Sequence, residues 1–138
     1  MADTTLVDTL ICAAAQAWKD DGEVLATGIG LVPRLAASLA KLTVNPDLMM
    51  TDGEAALIAN DEAVPAVGER RYETYNPYRR MFDVVWSGRR HVMMGATQVD
   101  QYGNQNIAGI GGTAERPKTQ LLGFRGAPGN TINDTTSY

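Results

Sequence analysis

Apolar positions in residues 4–21 fall at Leu6, Leu10, Ala13, Ala14, Ala17 and Trp18, the spacing of an amphipathic helix. Thr4 or Thr5 can cap its start, and Asp20-Asp21-Gly22 ends it. Glu23 to Thr27 is a short, largely apolar run that leads into Gly28-Ile29-Gly30, as a buried strand ending in a loop would. A second helix is predicted next. Pro33 suits its first turn, Leu35, Ala36, Leu39, Ala40 and Leu42 form its apolar stripe, and Asn45-Pro46 breaks it. Asp47 to Thr51 has the composition of another buried strand. Strand and helix alternate up to this point, which predicts a βαβ unit. The expected fold class is therefore α/β, an open, mostly parallel sheet flanked by helices, in a single domain covering residues 1–138.

The pattern weakens further on. Residues 52–77 hold Gly53, Pro65, Gly68 and Pro77 and no clear period, which predicts a long functional loop with a short helix near 54–60. Tyr78 to Trp86 has helical character, and Val92 to Gly95 suits a third buried strand. The remainder is expected to be loop-rich, with a hairpin-like turn at Tyr102-Gly103-Asn104 and a strand at Thr119 to Leu122. Asn130 to Tyr138 carries hydrogen-bonding and β-branched residues in a pattern that stops midway through an element, so a chain truncated at its C-terminus is expected.

Composition sharpens this picture in a few places. With 138 residues, 44% hydrophobic and 20% charged, the chain can bury an ordinary core and is not of the disordered class. The longest apolar stretch, Leu10 to Trp18, is interrupted by Gln16 and falls short of the roughly 20 residues a membrane span needs. No signal architecture opens the chain, so a cytoplasmic protein without membrane association is expected. Cys12 is the only cysteine, which excludes an internal disulfide, and its Ala-rich surroundings predict a helix-core residue. His91 is the only histidine and is expected to be structural or at the solvent edge. No metal site is expected.

The net charge of −4 argues against a nucleic-acid partner. Six of the nine arginines nevertheless lie in pairs, at 70–71, 79–80 and 89–90. Such pairs suit a solvated helix face, or contact with a phosphate or carboxylate through the guanidinium fork.

Three segments carry candidate chemistry. Gly28-Ile29-Gly30 lacks the third glycine of a dinucleotide loop and reads first as a tight strand-to-helix turn, although ligands bind at such strand ends. Thr51-Asp52-Gly53-Glu54-Ala55 sets two carboxylates around a glycine at a predicted strand end. Asp52 and Glu54 are candidate catalytic groups, or a cap and a first-turn acid of a following helix. Met94 to Asn106 packs amides, a carboxylate and glycines after an apolar strand. Its Gln98, Asn104 and Asn106 can hold an oxyanion without changing charge, or satisfy an Asn-rich turn.

Here the residues become recognisable. Gly95-Ala96-Thr97-Gln98-Val99-Asp100, followed by Tyr102-Gly103-Asn104 and Asn106, resembles the signature of the beta subunits of class I coenzyme A transferases, and Gly123 to Asn130 resembles that family's glycine-rich loop. The family's usual glutamate-then-glycine order is replaced here by Asp52-Gly53-Glu54. Together with Gly88-Arg89-Arg90-His91-Val92 and Gly126 to Asn133, this is similar to the steroid ring-opening hydrolase branch of the family. The resemblance implies a partner alpha subunit, in a heterodimer or heterotetramer, that supplies the catalytic glutamate. It also implies hydrolytic C–C cleavage of a cyclic β-keto acyl-CoA, with CoA entering as part of the substrate and no cofactor held permanently. Gln98, Asn104 and Asn106 would position polar groups, Gly126 and Gly129 would give backbone contacts, and Arg125 would meet an anion. Transfer of CoA between carboxylic acids is the alternative activity. A non-catalytic, sugar-phosphate-sensing domain of related fold is a further one.

Overall fold

The computed structural model describes residues 3–28, 30–51, 56–59, 69–124, 126–132 and 136–138, with Thr131 described by its backbone alone. Helix α1 (Leu6–Ala17) is capped by Thr5, whose hydroxyl accepts from the Asp8 N–H at 3.2 Å while the Asp8 carboxylate accepts from the Thr5 N–H at 2.9 Å. The docked face of α1 keeps Ala14 and Trp18 of the expected stripe but not its leucines. Ala15 and Trp18 are buried, with Ile11 and Ala14 beside them, whereas Leu6 and Leu10 face outward. Cys12 is also exposed, not a core residue. A helix apolar on more than one side does not announce by period alone which stripe will dock.

Strand β1 (Leu25–Gly28) leads into α2 (Leu31–Thr43), which returns the chain to β2 (Met49–Thr51), parallel to β1. Ala36, Ala37 and Ala40 are buried on α2, and their small side chains let it lie close to α1 and the sheet. Asn45, at the end of α2, is buried. Its amide donates to the Trp18 and Gly22 carbonyls at 2.9 and 3.0 Å, tying the end of α2 to the turn that follows α1.

The predicted helix near 54–60 is absent from the described part of that range, where Ala56–Ile58 forms strand β3. Three apolar residues are too few to separate helix from strand by period. Antiparallel pairing with β2 sets Ile58 opposite Met50, and both lie in the core. Strand β4 (Tyr72–Tyr75) pairs antiparallel with β3, so the long segment expected to be loop contributes two strands. Helix α3 (Tyr78–Trp86) follows as predicted, and β5 (Arg90–Met93) begins two residues before the expected strand. The sheet runs β4-β3-β2-β1-β5, with the parallel strands β2, β1 and β5 at its centre and one edge.

Residues 136–138 lie along β5. Val92 N–H donates to the Thr136 carbonyl at 3.0 Å, and Tyr138 N–H to that of Val92 at 2.9 Å. The Tyr138 ring meets Trp18 edge-on at 5.9 Å. Its hydroxyl donates to Asp21 at 2.5 Å, and burial followed by the Asp21 bond and charge raises its pKa above the ordinary tyrosine value. His91 Nδ1 lies 2.9 Å from the same carboxylate, giving the histidine the structural place expected of it.

The rest of the chain is built from hairpins. Strands β6 (Gln98–Val99) and β7 (Gln105–Asn106) pair around the turn predicted at 102–104. Strands β8 (Gly109–Gly112) and β9 (Pro117–Gln120) form a second hairpin, and a short helix α4 (Ala127–Ile132) follows. Among the described residues no helix is long and apolar enough to cross a membrane.

Candidate active site

A cleft of about 560 Å³ opens where β1 and β2 end, between Thr27, Gly28 and Thr51 on the sheet and Tyr78, Phe82 and Val85 on α3. The carboxyl ends of parallel strands are the usual ligand position in open α/β sheets. The turn that forms it depends on glycine. A Cβ on Gly28 would stand 2.8 Å from Pro33 in the first turn of α2, and Gly30 has φ +109°. Gly28 and Gly30 thus flank the tight strand-to-helix turn expected from the sequence.

Arg34, from the first turn of α2, and Arg90, at the start of β5, both line this cleft. The Arg90 Nε–H donates to the Thr27 hydroxyl at 3.1 Å, and its Nη1–H donates to the Asn130 side-chain carbonyl at 3.1 Å. Burial lowers its pKa from the ordinary arginine value. Arg90 also borders a second cleft of about 410 Å³, lined by Gly95, Gln105, Phe124, Gly126 and Asn130. The Arg89-Arg90 pair was visible in the sequence. Its link to Asn130, 40 residues away, was not, and Thr27, Arg34 and Asn130 were not singled out.

The amide segment is a network of its own. Asp100 accepts from the Tyr102 N–H at 2.8 Å, the Asn104 N–H at 2.9 Å and the Asn104 amide at 2.7 Å. The Asn104 side-chain bond foremost, with the backbone bonds, holds the Asp100 carboxyl below its usual range. The Asn106 amide donates to the Gly109 carbonyl at 2.9 Å, and its oxygen accepts from the Ala108 N–H at 3.1 Å. With Asn106 thus oriented, its amide donates to Gln98 Oε1 at 2.8 Å. Gln98 must therefore present oxygen to Asn106, which leaves its own NH₂ without an acceptor among the described residues.

Gln98 and Asn106 meet each other but border neither of these clefts. Asn104 lines a third hollow of about 530 Å³ with Gly103, Gln105, Phe124 and Pro128. Gly126 lies in the second cleft, whereas Gly129 is an exposed residue of α4. Asp52, Glu54 and Arg125 lie outside the described residues.

A mixed sheet whose central parallel strands end on a cleft, followed by glycine-rich hairpins, defines the class of α/β ligand-binding folds. The family is narrower: a model described as coenzyme A transferase matches residues 7–129, and the chain belongs to that family. It is 45% identical over 139 residues to the cholesterol ring-cleaving hydrolase IpdB subunit of Rhodococcus jostii (strain RHA1), covering 100% of this chain and 53% of that relative. The crystal structure of Rhodococcus jostii RHA1 IpdAB matches with a TM-score of 0.83 and 45% identity, over 96% of this chain and 52% of that one. A 3-oxoadipate CoA-transferase subunit of Pseudomonas knackmussii (strain DSM 6978 / CCUG 54928 / LMG 23759 / B13) is 34% identical over 128 residues, 88% of this chain and 48% of that relative. The chain spans about half the length of the curated relatives it matches.

Proposed function

We propose that the chain is part of the beta subunit of a two-subunit, cytoplasmic acyl-CoA enzyme that opens the ring of a cyclic β-keto acyl-CoA by hydrolysis in steroid degradation. The observation that carries this reading is the 45% identity, sustained along the whole chain, to a subunit named for cholesterol ring cleavage. CoA enters as part of the substrate, and the other subunit completes the site. In the reaction the oxygen of water bonds to the ring ketone carbon. The bond from that carbon to the thioester α-carbon breaks, its electron pair forms the thioester enolate, and a proton returns to the α-carbon. The products are a new carboxylate and an intact thioester.

A carboxylate must take the proton from water, and donors must hold the developing oxyanion or enolate. The alpha subunit's glutamate is the proposed base, with Asp52 and Glu54 as further candidates on this chain. The NH₂ of Gln98, which has no acceptor among the described residues, supports a role as an oxyanion donor, with Asn106 fixing its orientation and Asn104 shaping the turn. Gln98→Ala, in the full-length complex, is expected to lower kcat about 10- to 1000-fold with the melting temperature unchanged. Wild-type turnover would remove Gln98 from the site.

CoA transfer is the second reading, favoured by the 34% identity to the 3-oxoadipate CoA-transferase subunit. The two separate cleanly when the full-length protein is co-expressed with its alpha subunit and given a cyclic β-keto acyl-CoA. Hydrolysis proceeds without an added acid, whereas transfer requires one and leaves a glutamyl-CoA adduct reducible by borohydride.

A further inference from the structure

Residues 69–90 hold six of the nine arginines, none of the three lysines and five of the nine aromatic residues, with three acids among them. The segment is net positive within a chain of net charge −4, so the rest of the chain is the more acidic. Arginine, tyrosine and tryptophan gather at the centres of protein–protein contacts, where lysine is depleted. A surface built only to attract a polyanion would draw on both cations.

The fold leaves these residues uncovered. Strand β4, the edge of the sheet, carries Tyr72 and Tyr75, and after Asn76 and Pro77 the chain enters α3. Tyr78, Phe82 and Trp86 are spaced four residues apart, which sets them along one side of that helix. Val85 is the buried residue of α3, whereas the five aromatic side chains are each between 57% and 75% exposed. Arg79, Arg80 and Arg89 are exposed as well, and the ion pair found among the described residues, His91 with Asp21, involves none of them. The corner between β4 and α3 is fixed, because Asn76 is buried and its amide donates to the Met81 sulfur at 2.9 Å. Rings held on a fixed corner lose little entropy when a partner covers them.

A second copy of the chain fits this surface poorly, since a twofold contact would set the positive segment against itself. The opposite edge of the sheet, beside β5, is taken by residues 136–138. Tyr78 and Phe82 belong both to the exposed stripe and to the α3 wall of the main cleft, so whatever covers the stripe also borders the cleft. The proposed reaction calls for a glutamate of the alpha subunit at the cleft, and that subunit must therefore reach the α3 rim.

We infer that Tyr78, Phe82 and Trp86, with Arg79 and Arg80 on the same helix, form the surface on which the alpha subunit docks, through an apolar strip bordered by carboxylates. Phe82 and Trp86 are the anchors, and the arginines meet the carboxylates through the guanidinium fork. This rests on the proposed function for the identity of the partner, and deepens it by giving the side from which the second subunit closes the cleft.

The test follows association and needs no turnover. Full-length protein is co-expressed with its alpha subunit, and the purified complex is diluted in series while dissociation is followed by sedimentation velocity. Trp86→Ala and Arg79→Glu should each raise the dissociation constant at least tenfold, and added salt should weaken the wild-type complex more than the Arg79→Glu complex. Leu6→Ala, on the outer side of α1, should change nothing, although Leu6 is 74% exposed against 75% for Trp86. A photoreactive benzoylphenylalanine placed at position 86 should cross-link to the alpha subunit, which reads the contact directly even if Trp86→Ala disturbs the fold. Undiminished association of both α3 variants, equal weakening by Leu6→Ala, a cross-link to RNA or to a second copy of this chain, or no association of the two subunits would each overturn the docking surface. A complex that depends on the α3 stripe but turns over no thioester would overturn the proposed activity and leave the surface standing. An active complex indifferent to the α3 variants would do the reverse.

Discussion

The two halves of this chain are held together by different physics. From Trp18 to Val92 the molecule has a dry core, in which Trp18, Leu25, Ala36, Ala40, Leu48, Ile58 and Val92 are almost wholly buried. Between Met94 and Phe124 no residue is fully buried, and Tyr102 is 80% exposed. That region depends on hydrogen bonds from Asp100, Asn104 and Asn106 and on glycine backbones. The first half is therefore a scaffold whose strand ends make the main cleft, and the second a set of polar turns beside it. The segment that identifies the family most clearly is in the weaker half, whereas Arg34, Thr27 and Arg90 sit on the stronger one.

The difference predicts how each half breaks. Trp18→Ala should have the largest effect, because it empties the space between α1, the sheet and Tyr138. A loss of about 3–5 kcal/mol in global stability is expected from denaturant unfolding. A loss under about 1 kcal/mol would mean that the core is not centred there.

Gly112→Ala should act locally. Its φ is +78°, and an added Cβ would stand 2.3 Å from the Arg116 carbonyl, so the β8–β9 hairpin cannot keep its geometry. Hydrogen exchange should speed up across 109–120 while the amides of β1 and β5 keep their protection. Uniform loss of protection would show that the hairpins and the core unfold as one unit.

The smallest effect concerns pH. Asp100 has its pKa lowered in the folded chain, so its contribution is complete above the ordinary carboxylate pKa, about 3.9. The contribution is lost as pH falls below that value and through the lowered one. Exchange at Tyr102 and Asn104 should rise over this acid range before the core melts, and Asp100→Asn should abolish that dependence. An unchanged pH profile in the variant would assign the effect to another group.

The same contrast explains what could be read from the sequence. Periodicity located α2, whose stripe includes the buried Ala36 and Ala40, and α3 also falls where a helix was expected, although Val85 is its buried residue while Tyr78, Phe82 and Trp86 are exposed. It placed α1 and took in Ala14 and Trp18, which do pack inward, but it also counted Leu6 and Leu10, which face outward, and passed over Ile11 and Ala15. Strands β3 and β4 were missed because three or four residues carry no measurable period, and their pairing is decided by Met50 and its neighbours in space. The amide turn at 102–104 was legible because Asp100, Gly103 and Asn104 act on their own backbone. Arg90 was visible as half of a pair, but its place in the cleft was not, because its partners Thr27 and Asn130 lie 63 and 40 residues away.

The central claim, hydrolysis of a ring-containing acyl-CoA by a beta subunit of the CoA transferase family, is tested most directly with labelled water. Full-length protein and its alpha subunit are incubated with a cyclic β-keto acyl-CoA in H₂¹⁸O, and the product is weighed by mass spectrometry. Incorporation of one ¹⁸O into the new carboxylate, with the thioester retained and no acceptor acid present, is the predicted result. Consumption that requires an acceptor acid, yields that acid's thioester and leaves the ring intact would contradict it.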